Sequence, residues 1–376
     1  MSWVRRLARP DILALEPYEY ATWREGFTRL NANELPWRAS GDESDAGLNR
    51  YPEPQARALI ERLAHLYRVS AGTLLICRGS DEAIDLLVRA FCRAGEDAVA
   101  VCPPTFGMYA VAARIQGARV IEVPLLAKKG FALDTSTLVE RCTGGPVKLV
   151  FLCSPNNPTG NLLDASAILE VADALAGRAL VVVDQAYIEF ASDTAVDALL
   201  TRTPVLTAES ALTSTEIKDT LLRVPRAPNL AILRTLSKAH GLAGARLGTL
   251  VARPDVIELV RKVIPPYAVP QVILEAVIAL LSPLHLRTLP RRIAQVRAER
   301  TRMQQALAAL PGVTGVLPSD ANFLLARFTD PAQALERASA ARLLVRDARS
   351  YPGLQDALRI TIGTPEQNDM LLRTWI

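Results

Sequence analysis

Between residues 55 and 252, short apolar runs alternate with longer stretches in which apolar positions recur every three or four residues. LLIC (74–77), AVAVC (98–102), ARVIEV (118–123), KLVFLC (148–153), ALVVVD (179–184), AILRT (231–235) and GTLVA (248–252) read as buried strands. The clearest helix lies over 80–93. There Ala83, Ile84, Leu87, Val88 and Phe91 make one apolar stripe, and Ser80 stands where an N-cap belongs. Strand–helix alternation of this kind predicts a mainly parallel sheet covered on both faces, an α/β fold whose ligands sit at the carboxyl ends of the strands.

After Arg253 the pattern changes. A long helix is expected over 287–310, stopped by Pro311-Gly312. Strand-like FLLAR (323–327), a helix over 331–341, and strand-like LLVRD (343–347) and LRITI (358–362) follow. The expected division is an N-terminal arm over 1–50, a large domain over 51–283 and a small C-terminal α/β domain over 284–376. The arm contributes to the small domain or to a dimer. The stretch 191–229 lacks periodicity and is long for a connection, so it reads as a lid or an insertion.

Composition narrows the function classes. Half the residues are hydrophobic and 22% are charged, which suits a packed core and excludes disorder as the main state. A net charge of +4 over 376 residues does not suggest a nucleic-acid binder. The arginines of 287–302 are interleaved with Glu299 and apolar positions, the pattern of a solvated amphipathic face. Three histidines, well separated in sequence, do not suggest zinc, so no metal is expected. Five cysteines without a C-x-x-C point to reduced thiols packed as small hydrophobes, and hence to a cytoplasmic protein. The N-terminus lacks the apolar region of a signal peptide, and Gln271 and Glu275 interrupt the most apolar stretch, so no membrane association is expected.

The chemistry gathers at predicted strand ends. P-loop, dinucleotide and nucleophile-elbow motifs are missing. Arg78-Gly79-Ser80-Asp81-Glu82 places free backbone N–H groups and a hydroxyl where a phosphate could bind, although a plain helix cap would look the same. Ser154-Pro155-Asn156-Asn157-Pro158-Thr159-Gly160 sets Asn amides between prolines after a buried strand. Asp184 follows four apolar residues, and a buried carboxylate calls for a cationic or donor partner. Lys238 lies just past another strand, close to Gly241 and Gly244, where desolvation can lower an amine pKa into the nucleophilic range.

Together these segments resemble the fold-type I pyridoxal-phosphate aminotransferases, most closely the histidinol-phosphate aminotransferases. RLNANELP (29–36), LNRYPEP (48–54), RGSDEAIDLL (78–87), CPPTFGMY (102–109), SPNNPTG (154–160), VVVDQAYIEF (181–190), LRTLSKAHGLAGARLG (233–248), PSDANFLLARF (318–328), LLVRD and LRITIGTP (358–365) carry the likeness in order along the chain. The resemblance implies pyridoxal 5′-phosphate as cofactor and Lys238 as the lysine joined to it. It implies Asp184 beside the ring nitrogen, Asn157 and Tyr187 on the ring hydroxyl, and Phe106 on the ring face. Gly79, Ser80, Asp81, Thr235, Ser237 and Arg246 would surround the phosphate, with Tyr51 reaching it from a second subunit of a homodimer. Arg359 and Arg346, with Tyr18 and Asn33, would receive the substrate's anionic groups. The implied reaction exchanges an amino group between histidinol phosphate and 2-oxoglutarate, giving glutamate, in histidine biosynthesis. Threonine-phosphate decarboxylation or aromatic transamination on the same fold are the alternatives, and a cofactor-sensing regulator is a more distant one. Phe106, Gln185 and His240 depart from the residues most relatives carry at those positions.

Overall fold

The computed structural model describes residues 3–22, 24, 26–192, 195, 198–202 and 223–376. The strands in chain order are β1 (Leu74–Cys77), β2 (Ala98–Val101), β3 (Arg119–Glu122), β4 (Val147–Cys153), β5 (Leu180–Asp184), β6 (Leu200–Arg202), β7 (Arg223–Pro225), β8 (Leu230–Thr235) and β9 (Gly248–Val251), followed by β10 (Val313–Val316), β11 (Phe323–Phe328), β12 (Arg346–Asp347) and β13 (Ala357–Thr361). Seven of them form one sheet in the order β1-β9-β8-β5-β4-β2-β3, in which β9 alone runs against its neighbours. A second, four-stranded antiparallel sheet has the order β10-β11-β13-β12.

The alternation along β4 shows why the runs are mostly apolar. Val150 and Leu152 enter a core with Leu59 and Leu63 of the helix Arg57–Tyr67 and Ile168 and Val171 of the helix Ala165–Ala174. Leu149 and Phe151 enter a second core, on the opposite face, with Ile84, Leu87 and Phe91 of the helix Gly79–Phe91. A strand covered on both faces leaves few positions for polar residues, chiefly towards its ends, as at Lys148.

Several expectations need correction. β3 is not buried: Arg119 and Glu122 are exposed because β3 closes the edge of the sheet. Ser80 does not cap its helix. The helix begins at Gly79, and the Arg78 N–H is taken instead by the Glu82 carboxylate at 2.7 Å. Of LLVRD, only Arg346–Asp347 pairs as strand. The long helix runs Pro283–Ala308, with Pro290 inside it, and its basic face is not simply solvated. Arg297 and Arg300 turn inward and donate to the carbonyls of Phe190 and Ala321.

Within the first 50 residues, Trp3–Leu7 and Pro10–Ala14 are short helices. Val4 and Leu7 are buried against the large-sheet core. Most of 191–229 lies outside the described residues; β6 and β7, near its ends, pair as an antiparallel ribbon. Among the described residues no single helix is long and apolar enough to cross a membrane.

Candidate active site

Five parallel strands, β1, β2, β4, β5 and β8, end at the same edge of the large sheet, so the loops that follow them converge. One cavity at that edge is lined by Gly79, Ser80, Asp81, Phe106, Cys153, Asn157, Asp184, Ala186, Tyr187, Thr235, Ser237, Lys238 and Arg246. Residues up to 167 positions apart in the chain thus face one space, which is the usual place for a ligand in an open α/β sheet.

Its floor is Asp184, 3% exposed at the end of β5. The Tyr109 hydroxyl donates to Oδ2 at 2.9 Å and the Ala186 N–H to Oδ1 at 3.0 Å. Burial raises the carboxyl to about 6, against those two donors. A carboxylate held this deep with spare acceptor capacity suits a cationic N–H. Tyr109 was missed in the sequence, since nothing local tells a tyrosine on an apolar helix face from ordinary core.

Asn157 is set by its neighbour, which the sequence reading also left without a role. Asn156 is 1% exposed; its amide donates to the carbonyl of Pro104 at 2.8 Å and to the Thr159 hydroxyl at 2.6 Å, and its carbonyl accepts from Thr105 at 2.9 Å. This buried network locks the 103–105 loop onto the 154–160 loop. Asn157 then accepts a short hydrogen bond from Arg359 of β13, joining the two sheets at the cavity.

The Lys238 side chain has no hydrogen bond or ion pair among the described residues, and its ammonium lies 5.5 Å over the Tyr187 ring. Desolvation and the Arg359 guanidinium lower its pKa, with Asp81 acting the other way. An unengaged amine with a depressed pKa is suited to covalent work. On the far wall, the first N–H groups of the helix Gly79–Phe91 have no partners within the helix and form an anion site. Gly248 makes the close approach possible, because a Cβ there would lie 2.4 Å from the Ser80 nitrogen. Arg246 is held in the left-handed region at φ 50, a costly conformation for a non-glycine residue, and donates to Asp81 at 3.0 Å. Ser237 and Thr235 share a hydroxyl–hydroxyl bond of 3.0 Å.

The remaining sequence-selected residues lie elsewhere. Arg346 pairs directly opposite Arg359 across β12 and β13, and Arg359 also covers the Phe323 ring at 5.3 Å. Tyr51 is outside the cavity of its own chain: it is half exposed and stacks on Tyr267 at 4.6 Å. Tyr18 is exposed and edge-on to Tyr20, and Asn33 is exposed with φ 56. The histidines are not all apart, as their sequence spacing suggested. His240 Nδ1 and His285 Nε2 approach to 3.4 Å, and burial with His285 lowers His240 to about 4.

A mainly parallel sheet thus brings a lysine, an aspartate and a helix N-terminus together at one edge. The family profile "Aminotransferase class I and II" matches residues 28–374, and this family depends on pyridoxal phosphate. A histidinol-phosphate aminotransferase of Stenotrophomonas maltophilia (strain R551-3) is 46% identical over 372 residues, 98% of this chain and 95% of that protein. The chain therefore belongs to the histidinol-phosphate aminotransferase family. The solved histidinol-phosphate aminotransferase from Sinorhizobium meliloti, in complex with pyridoxal-5′-phosphate, has the same fold. Its TM-score is 0.71 at 24% identity, covering 86% of this chain and 81% of that one. The L-threonine-O-3-phosphate decarboxylase from Porphyromonas gingivalis gives 0.66 at 25% identity, covering 87% and 90%. Fold likeness alone does not separate these two activities.

Proposed function

We propose that the chain catalyses reversible transamination between L-histidinol phosphate and 2-oxoglutarate, yielding imidazole-acetol phosphate and glutamate. The observation that carries this reading is the meeting of an unengaged Lys238, a buried Asp184 and a helix N-terminus at one cavity, with the Arg346/Arg359 pair beside it. The cavity residues fit pyridoxal phosphate. A buried carboxylate suits the ring nitrogen, Asn157 and Tyr187 the ring hydroxyl, and Phe106 a ring face. The N–H groups of Gly79, Ser80 and Asp81, with Thr235, Ser237 and Arg246, suit a phosphate. Bound there, the cofactor supplies an electron sink for the carbanion left when a substrate loses its α-proton.

The chain's own residues then divide the work. Lys238, whose pKa is lowered by desolvation and by Arg359, would hold the cofactor and would take and return the substrate's α-proton as general base. Asp184 holds the proton on the ring nitrogen. Arg246, which donates to Asp81, would also hold the cofactor's phosphate. Arg346 and Arg359 orient either the substrate phosphate or the carboxylates of glutamate, since bidentate guanidinium groups suit both, and Tyr18 and Asn33 complete that pocket.

Tyr51 contacts the phosphate of the neighbouring subunit, so the working unit is a homodimer to which the 1–50 arm contributes. The functional division is a cofactor domain over 51–283 and a substrate-gripping domain over 284–376. The compartment is the reducing cytoplasm, where five buried free thiols persist, and neither nucleic acid nor membrane is a partner. Replacing the lysine is the direct test: Lys238→Ala should abolish transamination together with the visible absorbance of the bound cofactor. Turnover retained in Lys238→Ala would overturn the assignment.

A further inference from the structure

The cavity floor has a support that the reaction as described leaves unused. Tyr109, on the helix Met108–Ile115, is fully buried, and its ring lies parallel to Phe151 at 4.9 Å with an interplanar angle of 1°. Phe106 meets it edge-on at 5.6 Å. Among the described residues its hydroxyl is one of two donors to the Asp184 carboxylate; the other is the backbone N–H of Ala186. One side chain therefore fixes both the carboxylate beneath the cavity and the aromatic ring on its wall.

We propose that Tyr109 is a positioning residue of the transamination: its hydroxyl holds Asp184 as an anion turned to the cavity, so that the proton shared with the cofactor's ring nitrogen stays on nitrogen. This rests on the assignment of Asp184 to that nitrogen. The argument is one of competing bases. Burial makes Asp184 more basic than an ordinary carboxylate. A carboxylate without adequate donors would take the proton itself, leaving a neutral carboxyl beside a neutral ring and weakening the electron sink. A hydrogen bond to the ionised form reverses that preference. Burial keeps the Tyr109 phenol protonated well beyond the ordinary range, so it remains a donor at every working pH.

The test uses the holoenzyme loaded with 15N-labelled pyridoxal phosphate and follows the ring nitrogen by NMR as pH is raised. In Tyr109→Phe the proton should pass from nitrogen towards the carboxyl group, lowering the nitrogen-to-carboxyl ratio about tenfold to a hundredfold below the midpoint, the scale of one charge-assisted hydrogen bond; the nitrogen resonance should move towards its unprotonated position there. Turnover should fall with it while KM changes little. Phe151→Leu, which disturbs the packing and leaves the hydroxyl, should lower stability and leave the resonance in place. If Tyr109→Phe does not fold, 3,5-difluorotyrosine placed at 109 strengthens the donor and should move the resonance towards its protonated position instead. An unmoved resonance in either substitution, or an equal shift in Phe151→Leu, would overturn the proposal. If instead the unmodified enzyme shows no protonated ring nitrogen near neutrality, the Asp184 assignment fails first, which distinguishes the two outcomes.

Discussion

At the residue scale, two buried groups pull stability in opposite directions over the same pH range. Asp184 titrates near 6 in the fold against 3.8 unfolded, so the folded state binds more protons between those values. Its contribution is greatest in acid and is lost as pH rises from about 4 to about 6, roughly 3 kcal/mol in all. His240 titrates near 4 against 6.5, so its contribution is present above 6.5 and is lost as pH falls towards 4, by roughly the same amount. Melting curves of cofactor-free protein should separate them. Relative to the parent, Asp184→Asn gains stability as pH rises from about 4 to about 6, and His240→Phe gains it as pH falls from 6.5 towards 4; parallel curves would contradict both. Asp184 was legible in the sequence because a charge ending an apolar run calls for a partner. Tyr109, 75 positions away, and His285, 45 from His240, were not, because their partners exist only after folding.

At the scale of elements, the parallel strands were legible because burial on both faces leaves them mostly apolar, with polar residues near their ends. Exposure of β3 was not, since Val120 and Ile121 look the same at an edge as at a centre. The start of the helix Gly79–Phe91 was misread for a related reason. Ser80 has the chemistry of a cap, yet the Glu82 carboxylate takes the Arg78 N–H and leaves Ser80 facing the cavity. That junction depends on Gly248. In Gly248→Ala the new methyl would meet the backbone at Ser80 and Gly79, at 2.4 and 2.5 Å, and neither can rotate away. Destabilisation of about 1–3 kcal/mol is expected, with at least about tenfold weaker pyridoxal-phosphate binding as the helix N-terminus shifts. Fluorescence titration of the cofactor-free variant measures this, and parent-like affinity would contradict it.

At the scale of the whole molecule, the two sheets are tied together around the cavity. Arg359 reaches Asn157, Arg300 reaches the carbonyls of Phe190 and Ala321, and the Asp320 N–H donates to the Gly160 carbonyl at 2.7 Å. These cross-sheet contacts were invisible in one dimension even where each residue had been singled out. Large apolar side chains are exposed along the 27–51 stretch, with Leu30 at 93% and Trp37 at 73% exposure, as expected of a surface that a second chain covers. Sedimentation equilibrium should give twice the 40.8 kDa chain mass, and a monomer that still binds cofactor fully would remove Tyr51 from the shared site. The most direct measurement of the central claim is single-turnover conversion of bound pyridoxal phosphate to its amine form, without 2-oxoglutarate, using histidinol phosphate, phenylalanine and threonine phosphate in turn. The account predicts stoichiometric imidazole-acetol phosphate, formed at least about a hundredfold faster than conversion by either competitor. Preference for phenylalanine, or carbon dioxide release from threonine phosphate, would contradict it.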